Sequence, residues 1–119
     1  MGDISANFNR SEFACHCGCG FDDVSMDLVY LLEETKTHFN SPIHITSGCR
    51  CEKQNNKVGG KQNSKHLAGE AADIQIANAT PAAVATYFEL RFPNSHGIGR
   101  YTTWTHIDVR DQKARWNGP

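Results

Sequence analysis

The stretch Ser64-Lys65-His66-Leu67-Ala68-Gly69-Glu70-Ala71-Ala72-Asp73 decides how this chain must fold. Its histidine and aspartate are both good zinc ligands, and they stand seven residues apart. On a continuous helix, seven residues span about 10.5 Å along the axis, whereas zinc bonds are only ~2 Å long. One helix therefore cannot easily present both side chains to one ion. The pair is useful only if the chain folds back between them. Gly69 permits that turn, because a residue without Cβ reaches backbone conformations closed to others. Asp73 then belongs to the strand that follows, for which residues 72–76 are the candidate.

Working outward, residues 50–65 (RCEKQNNKVGGKQNSK) are polar and contain Gly59-Gly60, which reads as an irregular segment with room for one helical turn. Before it, Ile43, His44 and Ile45 alternate as a short strand closed by Ser47-Gly48. Further back, Val24, Leu28, Leu31, Leu32 and Phe39 suit one face of a helix, with Asp22, Asp23 or Ser25 as N-cap and Asn40-Ser41-Pro42 as its stop. Downstream, Thr80 as N-cap and Pro81 at the first helical position open another helix. Val84, Tyr87, Phe88 and Phe92 would form its buried stripe, and Pro93 ends it. GIGRY (97–101) and THIDV (105–109) read as two strands joined by a tight connection. The order helix, strand, loop, strand, helix, hairpin gives an α+β domain: a small, mostly antiparallel sheet with helices packed on it. The 119 residues make one domain, 1–119, with 1–12 free to act as a flexible arm.

Catalytic zinc usually has three protein ligands and a position left for water. Among the six histidines, His106 in Trp104-Thr105-His106-Ile107-Asp108-Val109-Arg110 is the best third ligand. In a strand, His106 and Asp108 share a face. Asp108 is then the candidate to orient a ligand or to act as general base on the attacking water. Glu70 is the runner-up as base.

Composition narrows the rest. The net charge is −1, with neither the basic excess nor the basic stripe of a nucleic-acid binder. Lys53, Lys57, Lys61 and Lys65 recur every four residues and read as a solvated face. No apolar run approaches the ~20 residues of a membrane span. The first residues lack the basic and apolar regions of a secretory signal. Synthesis in the cytoplasm is the expectation.

With these residues assembled, the sequence resembles the zinc D-Ala-D-Ala carboxypeptidases and the related phage L-alanyl-D-glutamate endolysins, which share a fold with hedgehog signalling domains. The match reads Ser64, His66, Gly69, Ala71, Asp73 and His106. Thr46-Ser47-Gly48-Cys49-Arg50 resembles the family's Ser-Gly-Tyr-Arg segment, and GIGRYTTWTHIDVR resembles its closing hairpin. The resemblance runs from about Phe13 to Trp116 and is nearest to short prophage-type members. It implies one zinc ion on His66, Asp73 and His106. It further implies that Arg50 faces the substrate, pairing with a carboxylate or polarising the scissile carbonyl, as a guanidinium suits. Ser64 would hydrogen-bond the substrate backbone. Two departures stand out: Cys49 replaces the usual Tyr, and Thr103 stands where many members carry Glu or Asp.

The function this implies is zinc-dependent hydrolysis of a peptide bond in bacterial cell-wall peptides, by a carboxypeptidase or endopeptidase acting as a monomer on peptidoglycan stem peptides. The alternative is a non-catalytic zinc-binding module of the wall or virion, for which Thr103 is the main support. The five cysteines form two clusters: Cys15, Cys17 and Cys19, then Cys49 and Cys51. An odd number cannot all pair within one chain. Free thiols, disulfides and a structural metal, which His16 could join, all remain open, and each puts the two clusters near one another. Tyr101 and Trp104 line the cleft or pack in the core, His38, His44 and His96 face solvent, and Arg110 either pairs with Asp108 or is solvated.

Overall fold

The computed structural model describes residues 2–119. Helix α1 (Met26–Phe39) starts at Ser25 and ends at Asn40, whose left-handed backbone breaks it. Leu28, Leu31 and Leu32 are its buried face, joined by Val24 just before it. Strand β1 (Ile43–Ser47) follows, with Ile43 and Ile45 buried and His44 exposed. The polar segment forms a short helix, α2 (Glu52–Lys57). A 3-10 turn over Lys65–Ala68 leads to β2 (Ala71–Ile76). Helix α3 (Pro81–Arg91) is capped by the Thr80 side chain, which accepts from the Ala83 N–H at 3.1 Å. Strands β3 (Gly97–Arg100) and β4 (Thr105–Asp108) form the anticipated hairpin.

Two features were not anticipated. A fifth strand, β5 (Ala114–Asn117), runs parallel to β3 at the sheet edge. The sheet, ordered β1-β2-β4-β3-β5, is therefore mixed, although its other pairings are antiparallel. Residues 2–12, expected as a free arm, are packed instead. Phe8 is 1% exposed and its ring lies 5.8 Å from that of Phe13. The Ser5 hydroxyl and the Asn7 backbone and side-chain amides all donate to the Glu33 carboxylate on α1. An aromatic side chain gains too much from burial to leave that segment loose.

The sheet has two unlike faces. Ile74, Ile76, Ile98 and Ile107 point to the core, where α1 and α3 lie. Residues of opposite parity point the other way. Register aligns one row across all five strands on that second face: Ser47, Asp73, His106, Gly99 and Trp116. Ser47 joins the row only because β1 is bulged between Ile45 and Ser47. The extra residue, Thr46, resets the alternation, so that Ser47 stands opposite Asp73 and not on the core face shared by Ile43 and Ile45.

Candidate metal centre

The fold-back demanded by the His66–Asp73 spacing is made at Gly69, whose φ of +70° lies in the left-handed region. Ser64 opens the 3-10 turn by accepting from the His66 N–H at 3.2 Å. Gly69 closes that turn, donating back to the His66 carbonyl. The chain then enters β2 and delivers Asp73 directly opposite His106 on β4. Ligand atoms of His66, Asp73 and His106 lie within 4.8 Å of one another, and all three residues are buried.

The hydrogen bonds on the far side of each ring define what the near side offers. His66 Nδ1 lies 2.6 Å from the Gly48 carbonyl. A carbonyl only accepts, so Nδ1 carries the proton and Nε2 of the neutral ring keeps its lone pair. That Nε2 lies 3.4 Å from Asp73 Oδ1. His106 Nε2 lies 2.8 Å from Asp108 Oδ2, which likewise accepts its N–H, and Nδ1 faces Asp73 Oδ1 at 3.0 Å. Three lone-pair atoms thus converge. They repel one another unless a cation lies among them or His106 gains a second proton. Burial disfavours that proton, but Asp108 and Asp73 outweigh burial and raise the ring's proton affinity. Burial also opposes ionisation of Asp73, yet the neighbouring His106 and His66 rings, which attract the carboxylate when protonated, hold its carboxyl well below the usual range.

Zinc fits this donor set. Tetrahedral bonds of ~2.0–2.1 Å place ligand atoms about 3.3 Å apart, and the two distances to Asp73 Oδ1 are 3.0 and 3.4 Å. Each histidine is anchored through its other nitrogen, as zinc-bound histidines usually are.

Arg50 lies beside the centre, its side chain only 14% exposed. It donates from one terminal nitrogen to Asp73 Oδ2 at 3.2 Å, from Nε to Ser47 Oγ at 3.1 Å and from the other terminal nitrogen to Asn55 Oδ1 at 3.3 Å. Asp108 lies elsewhere. It is fully buried, and its two oxygens receive the Gly97 N–H, the Arg110 N–H and a two-pronged Arg110 guanidinium as well as His106. Burial disfavours its charge, but His106 and Arg110 hold the carboxyl well below the usual range. Of the two readings for Arg110, pairing with Asp108 is the one observed.

The centre opens into a cavity of about 1250 Å³. Arg50, Ser64, His66, Asp73 and His106 border it, and Asp108 does not. Tyr101 and Trp104, stacked with centroids 4.5 Å apart, form one wall with Trp116. Trp116 donates from Nε1 to the Tyr101 hydroxyl at 2.9 Å, and its ring is 4.9 Å from that of His106. Glu70 is the half-buried carboxylate of this wall, while Asp27 and Asp111 are exposed at its margin. Thr103 is exposed and off the wall. Sequence reasoning did not reach Trp116, Gly48 or Asn55. A backbone carbonyl carries no sequence signal, and Trp116 matters only through a register that is not local.

A search of the curated proteins finds no match to this chain. The model of one family, described as peptidase M15, matches residues 6–108. That match covers β1 to β4, all three residues of the candidate centre, Arg50 and Ser64, and the chain belongs to the peptidase M15 family.

Proposed function

We propose that this protein is a zinc-dependent peptidase cleaving bacterial cell-wall peptides, as a D-Ala-D-Ala carboxypeptidase or a peptidoglycan endopeptidase. The observation that carries the reading is the convergence of His66 Nε2, His106 Nδ1 and Asp73 Oδ1 at the edge of an open cavity. Bound there, zinc would act as a Lewis acid on the scissile carbonyl and lower the pKa of the attacking water. His66, Asp73 and His106 hold the ion. The cavity exceeds the ~300–1,000 Å³ of small-molecule sites, which suits an extended peptide. Arg50, Lys61 and Lys65 on its wall suit a substrate bearing carboxylates, as stem peptides do. Ser64 spends its oxygen lone pair on the His66 N–H and keeps its own O–H to donate to a substrate carbonyl.

As general base we propose Glu70, the runner-up, in place of Asp108. Asp108 has both oxygens committed and no access to the cavity, so it serves as a positioning residue for His106. Glu70 takes the water's proton and passes it to the leaving amine, because it is the half-buried carboxylate on the wall. The test is incubation of the zinc-loaded protein with purified peptidoglycan and with peptides ending in D-Ala-D-Ala or containing L-Ala-D-Glu. New amine or carboxylate ends support the proposal. A folded, zinc-loaded protein that releases none refutes it. It would favour instead a non-catalytic zinc module of the wall or virion, the reading that Thr103 in the place of an acid supports.

A further inference from the structure

A second cluster of metal-binding side chains lies apart from the centre just described. Cys15, Cys17 and Cys19 come from the loop after a 3-10 turn over Arg10–Phe13, and Cys51 from the start of α2. Their sulfurs all lie within 4.8 Å of one another. Cys15 to Cys17 is 3.5 Å, Cys15 to Cys51 is 3.7 Å and Cys17 to Cys51 is 3.4 Å. We propose that Cys15, Cys17, Cys19 and Cys51 bind a second zinc ion, in a closed structural site.

The distances separate this reading from its rivals. Zn–S bonds of ~2.3 Å at the tetrahedral angle put sulfurs about 3.8 Å apart. A disulfide needs ~2.05 Å and would divide the sulfurs into pairs. Here three sulfurs are mutual neighbours and no pair is singled out. The fifth cysteine is left aside: Cys49 is 2% exposed and packs in the hydrophobic core. That division also resolves the odd count, since four thiolates close a zinc site and one thiol is core.

Local backbone explains how so tight a C-x-C-x-C run can converge. Gly18, between Cys17 and Cys19, has a φ of +81° in open surroundings, so conformation and not space selects glycine there. The loop is closed by the Cys15 N–H on the Phe21 carbonyl at 2.8 Å and the Gly18 N–H on the Cys15 carbonyl at 3.3 Å. Backbone amides already face the sulfurs: Cys51 N–H is 3.4 Å from Cys15 Sγ, and Gln54 N–H is 3.5 Å from Cys51 Sγ. Such donors favour the thiolate, the form that binds metal. Loading releases the thiol protons.

The place of the cluster gives it a consequence. The Cys49 N–H donates to the Phe13 carbonyl at 2.8 Å, so the cysteine loop and the β1–α2 connection already touch. That connection carries Gly48, whose carbonyl orients His66, and Arg50. An ion bridging Cys15, Cys17 and Cys19 to Cys51 would lock it from its far end.

Metal analysis of the reduced, purified protein tests this without measuring turnover. Two zinc ions per chain are expected. His66→Ala should keep one, and the Cys17→Ser/Cys19→Ser double variant should keep the other. Cobalt substitution should give thiolate-to-metal charge-transfer absorption that survives His66→Ala and disappears in the double variant. If that variant fails to fold, the unaltered protein still decides the matter. Its cobalt spectrum should carry the thiolate bands, and Cys15, Cys17, Cys19 and Cys51 should resist alkylation until a chelator is added. One zinc lost entirely in His66→Ala would overturn the proposal. So would alkylation of those four thiols in the zinc-loaded protein, a mass lowered by the hydrogens of a disulfide, or iron in place of zinc.

Discussion

At the scale of single residues, Glu70 and Asp108 make opposite predictions. Glu70→Gln should leave zinc content unchanged and lower kcat by ~10²–10⁴, the usual contribution of a positioned base. Asp108→Asn should weaken zinc affinity ~10–100-fold, because it disturbs the hydrogen bond that orients a ligand histidine. Chelator competition together with peptide turnover separates the two. Equal zinc affinities for Asp108→Asn and the unaltered protein would dismiss the positioning role. Gly97 is a second sensitive point. A Cβ there would collide with the carboxylate of Asp108, which is fully buried and cannot swing aside. Gly97→Ala should therefore cost about 1–3 kcal/mol, read from urea unfolding, and should weaken zinc binding in step. A stability loss with zinc affinity intact would mean that Asp108 moves without carrying His106 along.

At the scale of elements, the bulge in β1 is the device most open to test. Ser47→Ala would keep the bulge but empty the side chain it sets opposite Asp73. Arg50 would lose its Nε acceptor, while the three candidate metal-binding residues lie on other elements. The expected result is a raised KM with zinc content unchanged; loss of zinc would show that β1 supports the ligands themselves. This level also marks what could be read in the sequence. α1, α3 and β1 to β4 were legible because each has its own apolar period or cap. The meeting of His66 and Asp73 was legible because their seven-residue spacing calls for a fold-back, and His106 joins them through its place on the closing strand. The remainder depends on pairing between distant segments. β5 has no apolar alternation of its own: Arg115 spends its guanidinium on the carbonyls of Phe92, Ser95 and His96, and only parallel pairing with β3 brings Trp116 to the site. Asp108 was placed on the correct strand face, but its burial and its union with Arg110 are tertiary facts.

At the scale of the whole molecule, Glu33 fastens the first residues to α1. Burial works against its charge, but the Asn7 and Ser5 hydrogen bonds lower its pKa below the ordinary 4.5. A carboxylate whose folded pKa is depressed contributes fully above its unfolded value and loses that contribution as pH falls through the folded one. Hydrogen exchange at the Asn7 amide should therefore be slow above pH 4.5 and gain protection losses below it. In Glu33→Gln this acid-dependent step should vanish; its persistence would place the weak point elsewhere. The cross-strand row has a broader consequence, for discrimination among ions. Asp73 and His106 sit on adjacent hydrogen-bonded strands, so their separation follows the ~4.8 Å pitch of a sheet and not the reach of flexible side chains. Calcium, which wants six to eight oxygens at ~2.3–2.6 Å, would have to spread strands that the backbone ladder holds together. The sheet thus works as a ruler, and a small tetrahedral ion is the one whose coordination sphere it measures.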